Sequence, residues 1–179
     1  MSGRVEIRRE FRPGDLEAVV AHHARLYSRE YELNAEFEEK VAAACAEAAG
    51  AGFPTEREAI WIVERGGEHA GSIALTDGGD AGVVRWVLLD PELRGRGLGR
   101  RLVAEVINKA RELGYERLRL ETFSELEAAA RLYREVGFQV VREDTRPRWG
   151  RDSITYQYYE LELAEAQAES ALDRVAGSA

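Results

Sequence analysis

The chain has a single cysteine, Cys45. An internal disulfide and a cysteine-based metal cluster are therefore excluded. No apolar run is long enough to span a membrane, and Met1-Ser2-Gly3-Arg4 opens without an apolar signal core. No membrane association is expected, and a cytoplasmic setting is. Positive charge is also short, with 25 Lys and Arg against 33 Asp and Glu, a formal charge of −8. That balance argues against broad nucleic-acid binding and would suit a cationic amine. What remains is 45% hydrophobic and 32% charged residues over 179 positions, ordinary for one globular domain with a full core.

Against that background, Leu88 to Leu102 stands out. An apolar run from Val83 to Leu89 stops at Asp90-Pro91. Arg94-Gly95-Arg96-Gly97-Leu98-Gly99-Arg100-Arg101 follows, and Leu98, Leu102, Val106 and Ala110 then recur at helical spacing up to Gly114. Strand, glycine loop and helix start leave backbone N–H groups without partners, aimed at one spot. Glycines let the backbone approach a ligand, and the arginines add charge beside the positive end of the helix dipole. The stretch reads as a phosphate or diphosphate site. The Gly-Lys-Ser/Thr ending of a triphosphate loop is missing, which disfavours a kinase or ATPase. Gly-x-Gly-x-x-Gly is not matched either, although Glu121 could mimic the ribose-binding acid of a dinucleotide fold.

Along the chain, Val5, Ile7 and Phe11 suggest a first strand, and Asp15 a helix cap. Leu16, Val19, Val20, His23, Leu26 and Tyr27 form a helical stripe. Asn34 caps a second helix with Phe37, Val41, Ala44, Cys45 and Ala48 inward; Glu36, Glu38, Glu39, Lys40 and Glu47 are expected outward. Cys45 reads as a small core residue. Ala59 to Glu64 and Ala70 to Leu75 form a hairpin through Arg65-Gly66-Gly67-Glu68. Arg117 to Phe123 is a strand, parallel to the run ending at Leu89 because a helix joins them. Ser124 is expected to cap the next helix, which Gly137 ends. Phe138 to Val141 and Ile154 to Leu163 are the last strands, with Arg142 to Asp152 a loop holding the only other basic run. The order is strand, two helices, three strands, helix, strand, helix, two strands, an α/β (α+β) arrangement unlike a repeated strand–helix fold.

Arg94, Gly97 and Gly99 fit Arg/Gln-x-x-Gly-x-Gly/Ala. With the element order, this resembles the GNAT superfamily of acyl-CoA N-acyltransferases over about residues 4 to 163. Tyr27-x-x-Glu30-Tyr31 after His22-His23, and Trp149-Gly150-Arg151-Asp152, look most like acetyltransferase domains often fused to MarR-type regulators. The resemblance implies a mixed sheet of about seven strands with about four helices and a splayed parallel pair that binds acyl-CoA. The domain is expected over 1–163, with 164–179 a frayed or disordered tail.

It also implies acetyl-CoA as cosubstrate, no metal, and transfer of acetyl to a primary amine of a small molecule or peptide. Val87, Leu88 and Leu89 would contact the pantetheine arm and supply an oxyanion N–H. Arg94, Gly95, Arg96, Gly97, Leu98, Gly99 and Arg100 would bind the diphosphate. Tyr133 lies in a segment resembling the family's Ala-x-x-Leu-Tyr-x-x-x-Gly-Phe, whose tyrosine protonates the leaving thiolate; the asparagine many relatives carry seven residues earlier is Leu126 here. The amine, with a pKa near ~10, needs a base. His22, His23, Glu30, Glu32 and Glu121 are the candidates. Glu30 is the one placed with His22, Tyr27 and Tyr31 in an acceptor wall from His22 to Glu32. The alternatives are a protein or aminoacyl-tRNA acetyltransferase, or a noncatalytic acyl-CoA-binding regulatory module. A homodimer stays open.

Overall fold

The computed structural model describes residues 3–163; the expected tail, 164–179, lies outside them. The elements are β1 (Val5–Arg8), α1 (Asp15–Tyr31), α2 (Ala35–Gly50), β2 (Ala59–Arg65), β3 (Glu68–Asp77), β4 (Gly82–Leu89), α3 (Leu98–Glu112), β5 (Arg117–Phe123), α4 (Glu127–Glu135), β6 (Gln139–Arg148) and β7 (Arg151–Glu162). A short 3₁₀ turn, Pro91–Leu93, precedes α3. One seven-stranded sheet runs in the order β1-β2-β3-β4-β5-β7-β6. Among the described residues only β4 and β5 pair in parallel. No helix among the described residues is long and apolar enough to cross a membrane.

Strand alternation sorts side chains onto two covered faces. Trp61 and Val63 of β2 join Leu102 and Val106 of α3 and Tyr133 of α4. Ile60 and Ile62, one residue out of step, join Leu16 and Val19 of α1 and Phe37 and Val41 of α2. Asn34 caps α2 as expected, its side chain accepting from the Glu36 N–H at 3.1 Å.

Three expectations change. Asp15 is the first residue of α1, behind Gly14, rather than its cap. Its carboxylate turns back to accept from Arg8 at 2.8 and 3.0 Å and from the Arg12 N–H at 2.7 Å. Ser124 caps nothing; Leu126 occupies the cap position of α4, without a side-chain bond. Arg142 to Asp152 is no loop. It completes β6 and turns through Trp149-Gly150 into β7, with β6 on the sheet edge, where Pro147 is tolerated and alternation is not required.

The Asp15 cluster gives a pH test. Burial pushes the Asp15 carboxyl up, but Arg8 and the Arg12 N–H override it and hold it below the usual carboxylate range. A depressed folded value contributes stability above the unfolded value of about 3.9 and loses it as pH falls through the folded one. Asp15→Asn should therefore cost about 1–2 kcal/mol at pH 7 and much less near pH 3. Urea unfolding at both pH values checks this, and an equal deficit at each contradicts it.

Candidate active site

The parallel pair is short. Gly82, Val83 and Val84 face Leu118, Arg119 and Leu120, and pairing ends there. The cause lies on the other side of β4. Between Ser72↔Leu88 and Ala74↔Arg85, Trp86 and Val87 oppose the single residue Ile73. This is a bulge, which bends a strand and increases its twist. Trp86 takes the left-handed conformation, φ 52°, and the Ser72 hydroxyl donates to its carbonyl at 2.6 Å. Meanwhile β5 stays zipped to β7 along its whole length. So β4 leaves and β5 stays, and a cleft of about 440 Å³ opens between them.

Backbone groups of β4 face this gap. The Asp90 N–H bonds back to Ala70 O at 2.9 Å. By alternation the Leu89 N–H points the other way, into the cleft. Leu89 O accepts from Arg94 Nε at 3.1 Å, and Val87 O from the Tyr27 hydroxyl at 3.4 Å.

The glycine loop closes one end. Gly95 (φ 72°) and Gly97 (φ 76°) are left-handed, and Gly97 caps α3 with no side-chain bond. The first-turn N–H groups of Leu98, Gly99 and Arg100 therefore keep the unpaired character of any helix start. Gly95, Gly97, Gly99 and Arg100 line the cleft, whereas Arg96 stands outside that lining. A Cβ at Gly97 would meet nothing within 4 Å, so the position needs its φ rather than its space; one at Gly99 would make an ordinary contact with Leu132 at 3.4 Å.

Several expected site residues do other things. Arg94 grips Glu30 of α1 through two bonds of 3.0 Å. Both carboxylate oxygens of Glu30, the expected base, are thus committed to the loop arginine. His22 does not line the cleft. It is 2% exposed, with Nε2 2.8 Å from Asp90 and Nδ1 2.9 Å from His69 Nδ1. One residue along a helix is a turn of about 100°, which carries His22 to the anchor of the loop's first residue and His23 to the cleft. His23 Nδ1 donates to Val19 O at 2.8 Å. Burial pulls His23 down to about 4, so it is neutral at pH 7 with Nε2 a bare acceptor.

Tyr27 and Tyr31 do line the cleft. Both are also core aromatics, each packed edge-on to Phe123, with Tyr27 edge-on to Phe37 as well. Tyr133, 3% exposed, reaches the cleft from α4 between Phe138 and Tyr159, with ring centroids at 5.9 and 5.8 Å. No hydrogen bond holds its hydroxyl among the described residues, and burial pushes the phenol up. It therefore stays protonated at pH 7. Cys45 is buried core, its thiol pushed up to about 12 by burial.

Sequence reasoning missed one constellation. Lys40, expected outward, lines the cleft, and its ammonium donates to the Tyr156 hydroxyl. It lies 4.4 Å from the Tyr156 ring centre and 5.2 Å from that of Trp149. Tyr156 in turn donates to Glu121 at 3.2 Å. Glu121 is the first residue of β5 beyond the end of its pairing with β4, and Arg85 stands beside it on the same face. Within this group, Glu121 is the one carboxylate that the sequence marks as a candidate base.

A family model, the acetyltransferase (GNAT) family, matches residues 19–138. An uncharacterized N-acetyltransferase of Escherichia coli, YjgM, is 35% identical over 85 residues, 45% of this chain and 51% of the relative. Mycothiol acetyltransferase of Nocardiopsis dassonvillei is 41% identical over 70 residues, 39% of this chain and 21% of the relative. The chain thus spans about half of the first of these relatives and about a fifth of the second. Among solved structures, an N-acetyltransferase from Staphylococcus aureus Mu50 superposes with TM-score 0.69 at 19% identity, covering 89% of this chain and 99% of that one. YncA of Salmonella typhimurium, solved with acetyl-CoA, gives 0.65 at 20% identity, covering 89% and 94%. With the family model matched over residues 19–138, from within α1 to just beyond α4, the chain belongs to the acetyltransferase (GNAT) family.

Proposed function

We propose that the protein is an acetyl-CoA-dependent N-acetyltransferase acting on the primary amine of a small molecule. The observation that carries this is the joining of two features in one cleft: the gap between β4 and β5, and the glycine-capped start of α3. The first suits an extended amide-bearing arm and the second a diphosphate. The N–H groups of Leu98, Gly99 and Arg100, with the Arg100 guanidinium, hold the diphosphate. Leu89 N–H faces the thioester oxygen and stabilises the charge that develops on it. The amine nitrogen bonds to the thioester carbon, the carbon–sulfur bond breaks, and Tyr133 gives its proton to the thiolate. Glu121 takes the proton that the amine loses. Glu30 is a positioning residue in this scheme, holding Arg94 and with it the loop. The overall charge of −8 disfavours the aminoacyl-tRNA alternative.

The narrower likeness to domains fused to MarR-type regulators rests on Tyr27, Glu30, Tyr31 and the Trp149 to Asp152 stretch. These are packed neighbours: Arg151 donates to Tyr31 O at 3.2 Å, and Trp149 stacks edge-on to Phe37, which meets Tyr27. A cytoplasmic setting accords with the lone, unreactive Cys45.

Gly97→Val tests the coenzyme end. A β-branched residue at φ 76° costs about 1–2 kcal/mol locally and shifts the loop out of its cradle conformation. Acetyl-CoA affinity should fall about tenfold or more, read by calorimetry. Unchanged affinity in a folded variant refutes the assignment, and absence of thiol release with every amine tried refutes the activity.

A further inference from the structure

Beyond the thioester, the α1–α2 side of the cleft carries an unexpected charge pattern for a chain of net charge −8. Two cations line it, Lys40 and Arg85, and among the described residues neither has a carboxylate within salt-bridge distance. Lys40 instead spends its bonds on a phenol and two aromatic faces. Arg85 donates Nε to the Thr76 hydroxyl at 3.2 Å. The one carboxylate beside them, Glu121, accepts only the Tyr156 O–H. Tyr156 thus links an ammonium and a carboxylate that do not pair with each other. The walls are aromatic, from Tyr27, Phe37, Trp149 and Tyr156.

Lys40 and Arg85 are both solvent-accessible at the cleft, and two cations side by side without a salt-bridged carboxylate repel each other. Burial lowers the Lys40 ammonium, Arg148 and Arg85 push it the same way, and Glu121 alone opposes them. An anion delivered to this spot would pair with both and offset that repulsion. A simple alkylamine could use Glu121 but would add its own positive charge beside two existing ones. An acceptor bearing both charges answers both halves of the pattern.

We propose that the acceptor is a free amino acid or a close analogue, an amine carrying a carboxylate. Lys40, aided by Arg85, binds its carboxylate, Glu121 receives its ammonium, and the aromatic wall packs its side chain. This rests on the transferase reading above and names its substrate class.

The test pairs free amino acids with the amines that differ only in lacking the carboxylate, following thiol release from acetyl-CoA. Wild type should favour the carboxylate-bearing member. Lys40→Met should lower kcat/KM for it about ten- to hundredfold, the range of a charge-assisted bond, and leave the decarboxylated amine nearly unchanged. Lys40→Arg should restore much of the preference. Equal use of both members by wild type, or an undiminished preference in Lys40→Met, overturns the proposal.

A second arm does not need turnover. In the presence of coenzyme A, N-acetyl amino acids should raise the Tm of wild type more than their uncharged counterparts, and Lys40→Met should lose that difference. If no amine is turned over yet this difference appears, the transferase reading fails while the carboxylate site stands. If the difference is absent, the carboxylate site fails whatever the turnover.

Discussion

Tyr133→Phe is expected to lower kcat by about 10²–10⁴-fold, with fold and acetyl-CoA affinity retained. The expectation follows from what surrounds the side chain. Its ring is fixed by edge-on packing against Phe138 and Tyr159, both buried core residues, and phenylalanine keeps every one of those contacts. Only the hydroxyl changes, and among the described residues that hydroxyl supports no other structural bond. A phenol held protonated by burial is a proton donor that waits for a strong base, and a departing thiolate supplies one. The measurement is kcat by thiol release, with single-turnover kinetics showing that chemistry limits the rate. A normal kcat under those conditions makes Tyr133 a packing residue. A loss of stability beyond about 1 kcal/mol would mean that the hydroxyl has a structural partner after all.

The fold was readable in the sequence wherever its physics is local. Arg117 to Phe123 alternates because Leu118 and Leu120 enter the core while Arg117, Arg119 and Glu121 face the more open side, and Gly66-Gly67 marks its hairpin because both residues take left-handed φ. Asn34 announces α2 with its side chain. The glycine loop was equally plain, since its conformation is written in its residue types. What failed was non-local. β6 carries Arg, Glu, Asp, Thr and Pro with no apolar period, because an edge strand with exposed faces needs none. The bulge that opens the cleft sits at a tryptophan with positive φ, a choice no propensity signals; it is held by a serine 14 residues away. Glu30 looked like a base because its partner, Arg94, lies 64 residues on. Lys40 is exposed as expected, but its reach to Tyr156, 116 residues on, could not be read. Charged side chains read as surface until the fold shows what they reach.

Glu121→Gln should separate the two carboxylates that the sequence left in contention. Glu30 is clamped by Arg94 and tied to the coenzyme loop, whereas Glu121 stands at the point where β5 parts from β4, its one described bond coming from Tyr156. Glutamine preserves shape and can still accept from that phenol, so the Tyr156 and Lys40 positions should persist. It cannot take a proton. At pH 7 the amine, with a pKa near ~10, arrives almost wholly as ammonium. Losing the base should cut kcat/KM for the amine about 10²–10⁴-fold. The variant then depends on the small neutral fraction, which grows about tenfold per pH unit up to the amine's own pKa. The gap to wild type should narrow steadily between pH 7 and 9.5. A gap that stays constant across that range means Glu121 only binds the ammonium, and an unchanged kcat/KM removes it from the site. Glu30→Gln supplies the contrast. It should raise KM for acetyl-CoA by loosening Arg94 and the loop, while the amine pH profile keeps its wild-type shape. A residue that positions the coenzyme moves one axis of the kinetics, and a residue that accepts the proton moves the other.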